Sequence, residues 1–286
     1  MLKRAAERSK RLGGEIVKAA ALLGAGLVLG VLIYAGLVKA EVLPSSFGPA
    51  ARGDLELARS DRPGVRVLFV GNSLTHANSM PALVGELAAD DEGASEIFAV
   101  EYTAGGWTLR EAAEDEGLAE LLADVRWDVV VLQEQSQMPS FSQFQRDVEM
   151  DPYARALDRR IRSSGARTML FLTWAHRDGD PRNVPGDSFA AMQSRLFDGY
   201  AELAAELSAT IAPVGLAWAE ALRRRPGLEL WADDGRHPSR AGSYLAACVF
   251  YAVLTGRDPR TSGLTDGLEP ADARFLQQVA ADVLAG

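Results

Sequence analysis

Val65-Arg66-Val67-Leu68-Phe69-Val70-Gly71-Asn72-Ser73-Leu74-Thr75 is the stretch on which the reading of this chain turns. A β-branched, apolar run ends at Gly-Asn, and a serine stands where a strand should give way to a helix. Gly71 lets the backbone turn tightly after the strand, because it has no Cβ to obstruct the turn. A serine there lies at a helix N-terminus, where free amides can stabilise a developing negative charge. Far downstream comes Asp234-Gly235-Arg236-His237, which sets a carboxylate three residues before an imidazole. Serine is a weak nucleophile until a base takes its proton, and a histidine base needs a third group to orient it. The chain supplies all three, in the order Ser, Asp, His.

Outward from this stretch, apolar strands alternate with amphipathic helices. The patterns predict strands over 65–70, 96–103, 128–132, 168–173 and 210–213. Helices are predicted over 80–91, 109–123, 152–164, 188–208, 240–254 and 271–284. Such alternation implies βαβ units and a three-layer α/β/α domain, with a central parallel sheet of about five strands in a flavodoxin-like arrangement. Ligands of open sheets bind beyond the carboxyl ends of the strands. The segments 71–75, 104–108, 133–139 and 174–178 all fall at that edge.

These residues resemble the blocks of the SGNH hydrolases, also called the GDSL esterase/lipase family, over roughly residues 64–260. Gly71-Asn72-Ser73 stands where the family usually has Gly-Asp-Ser, Gly105-Gly106 matches the glycine of the second block, and Asp234 and His237 match the last. The third block departs from the pattern. Most members carry Gly-x-Asn-Asp, whereas this chain reads Gln133-Glu134-Gln135-Ser136-Gln137, as in a divergent branch. The resemblance implies Ser73 as nucleophile, His237 as general base and Asp234 as its orienter, with Asp233 a weaker competitor. It implies an oxyanion hole made of the Ser73 amide, the Gly105 (or Gly106) amide and one side-chain amide. That last donor is assigned to Gln135, with Gln137 behind it. Asn72 is expected to tie loops together.

Other residues at the active edge invite two readings each. Trp107, Trp174 and Trp231 could stack on sugar rings or pack loops against the domain. Glu134 could bind a substrate hydroxyl or brace its loop. His176 could contact substrate or be a solvated loop histidine, and Gly106 and Gln137 border the same space. His76 lies too close to Ser73 along the chain to aim easily at its hydroxyl. The histidines are too sparse for a metal cluster, no phosphate-cradling glycine loop is present, and no cofactor is expected. Cys248, the single cysteine, sits in an apolar run and reads as a small core residue.

The chain has 286 residues and a net charge of −9. The first eighteen residues hold six cations against two anions, so the body is markedly acidic and nucleic acid is not an expected partner. Residues 19–38 are uncharged and apolar, long enough as a helix to cross about 30 Å of hydrocarbon. The basic segment 1–18 should stay cytoplasmic, with 19–38 a signal anchor, 39–63 a linker and 64–286 the catalytic domain outside the cytoplasm. Cleavage after Ala40 would instead give a secreted protein. The expected activity is hydrolysis of an O-acetyl glycan, or of a small acyl or lipid ester, through an acyl-serine. An inactive glycan- or protein-binding module and an O-acyltransferase are the alternatives.

Overall fold

The computed structural model describes residues 47–285. The basic segment, the expected membrane helix and the first part of the linker lie outside them. Among the described residues no helix is long and apolar enough to cross a membrane.

Six strands form one sheet, ordered β1(Ala50–Gly53)-β3(Ile97–Thr103)-β2(Val65–Gly71)-β4(Val129–Leu132)-β5(Arg167–Phe171)-β6(Thr210–Ala212). Strands β2 to β6 are parallel, in the flavodoxin-like order, and each matches a strand expected from the sequence. Most of their residues are buried, on both faces of the sheet, with the start of β2 and of β5 and most of β6 more open. Val67, Phe69, Ala99, Val129, Val131, Met169 and Phe171 join one core cluster, while Leu68, Val70, Val100, Val130, Leu132 and Leu170 are buried on the other side. Burial on both faces explains why 65–70 and 128–132 read as buried apolar runs, whereas 96–103, which carries Glu101 and Thr103, reads as alternating.

The sixth strand corrects the expectation of a plain linker over 39–63. Ala50–Gly53 pairs antiparallel with the edge strand, Ala50 opposite Thr103 and Gly53 opposite Val100. A short helix, α1(Leu55–Arg59), follows it. The strand reads Ala-Ala-Arg-Gly, without β-branched residues, and pairing with a neighbour rather than propensity holds it in place. Gly53 has φ +96, and a Cβ there would fall 2.4 Å from the Ala99 carbonyl oxygen, so the turn out of β1 requires glycine.

Three helices matter most for the site. α2(Ser73–His76) follows β2 directly, α3(Met80–Asp90) follows after a kink, and α4(Arg240–Thr255) is almost wholly buried. Asn78 and Ser79 make the kink with φ near +53, a conformation that costs non-glycine residues energy unless neighbours hold it. The Asn78 amide donates to the Pro238 carbonyl (3.2 Å) and to Ser243 Oγ (2.9 Å), which ties the kink to the segment carrying His237.

Candidate active site

Ser73 is set by its neighbours on both sides. Asn72 is the N-cap of α2, with its side-chain oxygen accepting from the Leu74 amide at 3.1 Å. Its Nδ2 donates to the Trp107 carbonyl at 2.8 Å, tying the first and second loops together as expected. Gln133, one residue past β4, accepts at its side-chain oxygen from the Asn72 amide (2.9 Å) and from Thr75 Oγ1 (2.9 Å). Gln133 had no role in the sequence reading. Its place was nonetheless legible, because the parallel pairing of β2 and β4 sets the residue after β4 beside the turn after β2. A Cβ on Gly71 would lie 2.5 Å from that same oxygen, so the glycine makes room for the glutamine.

His237 Nε2 lies 2.8 Å from Ser73 Oγ, and His237 Nδ1 lies 2.5 Å from Asp234 Oδ2. Asp234, not Asp233, is the carboxylate that meets the ring. Its other oxygen accepts from the amides of Arg236 (2.9 Å) and His237 (3.0 Å). Burial works to raise the Asp234 carboxyl, but the bonds from His237 and the two amides outweigh it and hold the group below its ordinary value. Gly235 turns the loop at φ +68. Ser239 then caps α4 by accepting from the Gly242 amide, a contact of about 1 kcal/mol.

The second loop carries two glycines that differ. The Gly105 amide donates to the Phe47 carbonyl at 3.4 Å, whereas the Gly106 amide donates no hydrogen bond among the described residues. Gly106 has φ +69. The third loop is tightly folded. Gln135 accepts at Oε1 from the amides of Gln137 (2.8 Å) and Met138 (3.2 Å), which fixes which way its side-chain amide points. Its Nε2 makes two long contacts, to Gln137 Oε1 (3.3 Å) and Ser136 Oγ (3.4 Å). Gln137 is buried.

Several edge residues turn out to be interior. Glu134 is fully buried and accepts from the amides of Leu109 and Gln135, so it braces its loop rather than meeting a substrate. Burial pushes its carboxyl up to about 8. Trp174 is buried and stacked on Trp218 with centroids 4.1 Å apart, and its indole N–H donates to the Arg236 carbonyl. Trp231 is also buried, donating to the Ala175 carbonyl. Both are packing residues. Trp107 stays half-buried against Tyr102. His176, read as either substrate-contacting or solvated, is only 6% exposed, and its Nε2 lies 3.0 Å from Ser136 Oγ. Burial depresses its imidazole to about 4. His76 turns away from the serine and pairs through Nδ1 with Glu101 at 2.6 Å. Cys248 is buried, as expected.

No family model matches the sequence, and no curated protein does. Solved structures do. A protein of Slackia heliotrinireducens described as an SGNH hydrolase is 32% identical, over 67% of this chain and 99% of its own, with a TM-score of 0.53. A DUF4886 family protein of Bacteroides uniformis is 19% identical over 78% of this chain and 95% of its own, with a TM-score of 0.63. A GDSL-like lipase of Parabacteroides merdae is 18% identical over 68% and 97%, with a TM-score of 0.51. The latter two share the fold. The first goes further, and on its identity and coverage the chain belongs to the SGNH hydrolase family, the serine hydrolases that act on ester bonds.

Proposed function

We propose that Ser73, His237 and Asp234 carry out ester hydrolysis through an acyl-serine, in a domain held outside the cytoplasm by residues 19–38. The observation that carries the reading is the unbroken contact line from Ser73 Oγ through the imidazole to Asp234, 2.8 and 2.5 Å in its two steps. His237 Nε2 takes the hydroxyl proton as Oγ bonds to the ester carbonyl carbon. Asp234 keeps the imidazole in the tautomer whose Nε2 can accept that proton. The carbonyl oxygen, now an oxyanion, receives hydrogen bonds from the Ser73 and Gly106 amides and from the Gln135 side-chain amide. Gly106 is preferred to Gly105 because the Gly105 amide is already engaged with Phe47. The tetrahedral adduct then expels the alcohol, which takes the proton back from His237. Water repeats the sequence to release the acid and restore Ser73.

The substrate proposed is an O-acetylated glycan or a short acyl ester. Trp107 and Gly106 are the predicted contacts that remain partly exposed beside the serine. Acetate release from acetylated glycans, measured beside hydrolysis of p-nitrophenyl esters of rising chain length, tests this. Preference for acetyl glycans supports it, and folded protein that turns over none of them favours a binding module. Amino-terminal sequencing of membrane-extracted protein tests the anchor: a start at Glu41 means that the segment was removed.

A further inference from the structure

The loop after β5 touches both halves of the site. Trp174 donates to the Arg236 carbonyl (2.9 Å) and the Arg177 amide donates to the Gly235 carbonyl (2.8 Å), so this loop holds the turn that presents Asp234 and His237. Between them, His176 reaches the third loop through Ser136. The loop is itself pinned, because the Ala175 amide donates to Gln193 Oε1 (2.8 Å) and the Ala175 carbonyl accepts from Trp231 (3.1 Å).

We infer that Ser136 and His176 form a positioning brace that aims the Gln135 side-chain amide at the oxyanion and sets it in register with His237. The inference rests on the acyl-serine reading above. Gln135 needs such help because its side chain is one methylene longer than an asparagine and carries an extra rotatable bond. Its carbonyl end is clamped by two backbone amides. Its NH2 end makes two weak contacts, to Ser136 Oγ (3.4 Å) and Gln137 Oε1 (3.3 Å), and the oxyanion takes the hydrogen now turned to Gln137 while Ser136 keeps the other. Ser136, accepting from Gln135, gives its own proton to His176 Nε2. The buried imidazole is held neutral by its depressed basicity, and in the tautomer with its proton on Nδ1 its Nε2 accepts from Ser136.

Steady-state kinetics of the full chain on p-nitrophenyl acetate test the brace. Removing an oxyanion donor costs about 10²–10³ in kcat, so Gln135→Ala should fall in that range. Ser136→Ala and His176→Phe should each lower kcat about tenfold to a hundredfold, with KM within about twofold of wild type. His176→Gln, which keeps an acceptor, should recover part of the loss. Neither change should matter once Gln135 is gone: Gln135→Ala/Ser136→Ala should be no slower than Gln135→Ala. Unchanged kcat in Ser136→Ala and His176→Phe, or losses that multiply with that of Gln135→Ala, would overturn the brace. Full activity of Ser73→Ala would instead sink the acyl-serine reading, and the brace with it.

Discussion

Replacing Gln133 with methionine should loosen the seat of the nucleophile while leaving the interior filled. Gln133 is 1% exposed, and its one oxygen serves two buried donors, the Asn72 amide and the Thr75 hydroxyl. Methionine is close to glutamine in length and volume, but its thioether is a weak acceptor. Each buried donor left without a partner costs about 1–3 kcal/mol, so the pair costs about 2–6 kcal/mol. In a domain of this size 1 kcal/mol lowers Tm by about 2–4 °C, which puts the expected fall on the order of 10 °C. Thr75→Val in the methionine background removes one orphaned donor and should restore about 1–3 kcal/mol. Because Asn72 leads straight into Ser73, kcat should also drop about tenfold or more, as expected when a reacting group loses its alignment. Thermal melts by circular dichroism and p-nitrophenyl acetate turnover read the two effects. A methionine variant that melts within about 2 °C of wild type and turns over normally would show that these hydrogen bonds do not hold the serine.

Three other outcomes follow from the same contacts. Asp234→Asn leaves the loop geometry in place but favours the wrong imidazole tautomer, so kcat should fall about 10⁴-fold in steady-state assays with little change in KM. The Glu134 carboxyl is raised from 4.5 to about 8 in the folded protein, so its stabilising contribution is complete below pH 4.5 and is lost as pH rises towards 8. Glu134→Gln should therefore flatten the decline of Tm between pH 5 and 8, and an identical decline in the variant would contradict the assignment. Gly71→Ala would push a Cβ to 2.5 Å from Gln133 Oε1 and 2.7 Å from Thr75 Oγ1. It should cost about 1–3 kcal/mol in denaturant melts.

The sequence was most legible where one physical demand dominated. Burial on both faces made β2 and β4 visible as apolar runs, and the joint need for nucleophile, base and orienter made Ser73, Asp234 and His237 stand out. Elements held by context were harder to see. Ala50–Gly53 is a strand because β3 has an open edge, and nothing in its own residues announces that. The helix Val214–Arg224 was also missed: it begins immediately after Pro213, where the expected strand ends, in a stretch with no element expected before 240. Side-chain direction was the other blind spot. Trp174, Trp231, Glu134 and His176 do lie at the carboxyl edge of the sheet, but position along the chain does not say whether a side chain faces solvent or core. Trp218, the stacking partner of Trp174, comes from that unforeseen helix. Gln133 and Gln135 differ by two places in the chain, and pairing between β2 and β4 gives the first to the nucleophile turn and leaves the second to the loop beyond.

The most direct measurement is covalent labelling with a fluorophosphonate, followed by peptide mass spectrometry. A serine activated by an imidazole attacks phosphorus, and an ordinary capping serine does not. The label should appear on Ser73 in the wild-type chain and be absent from folded His237→Ala. Folded wild-type protein that stays unlabelled at Ser73, or a label that persists without His237, would contradict the account.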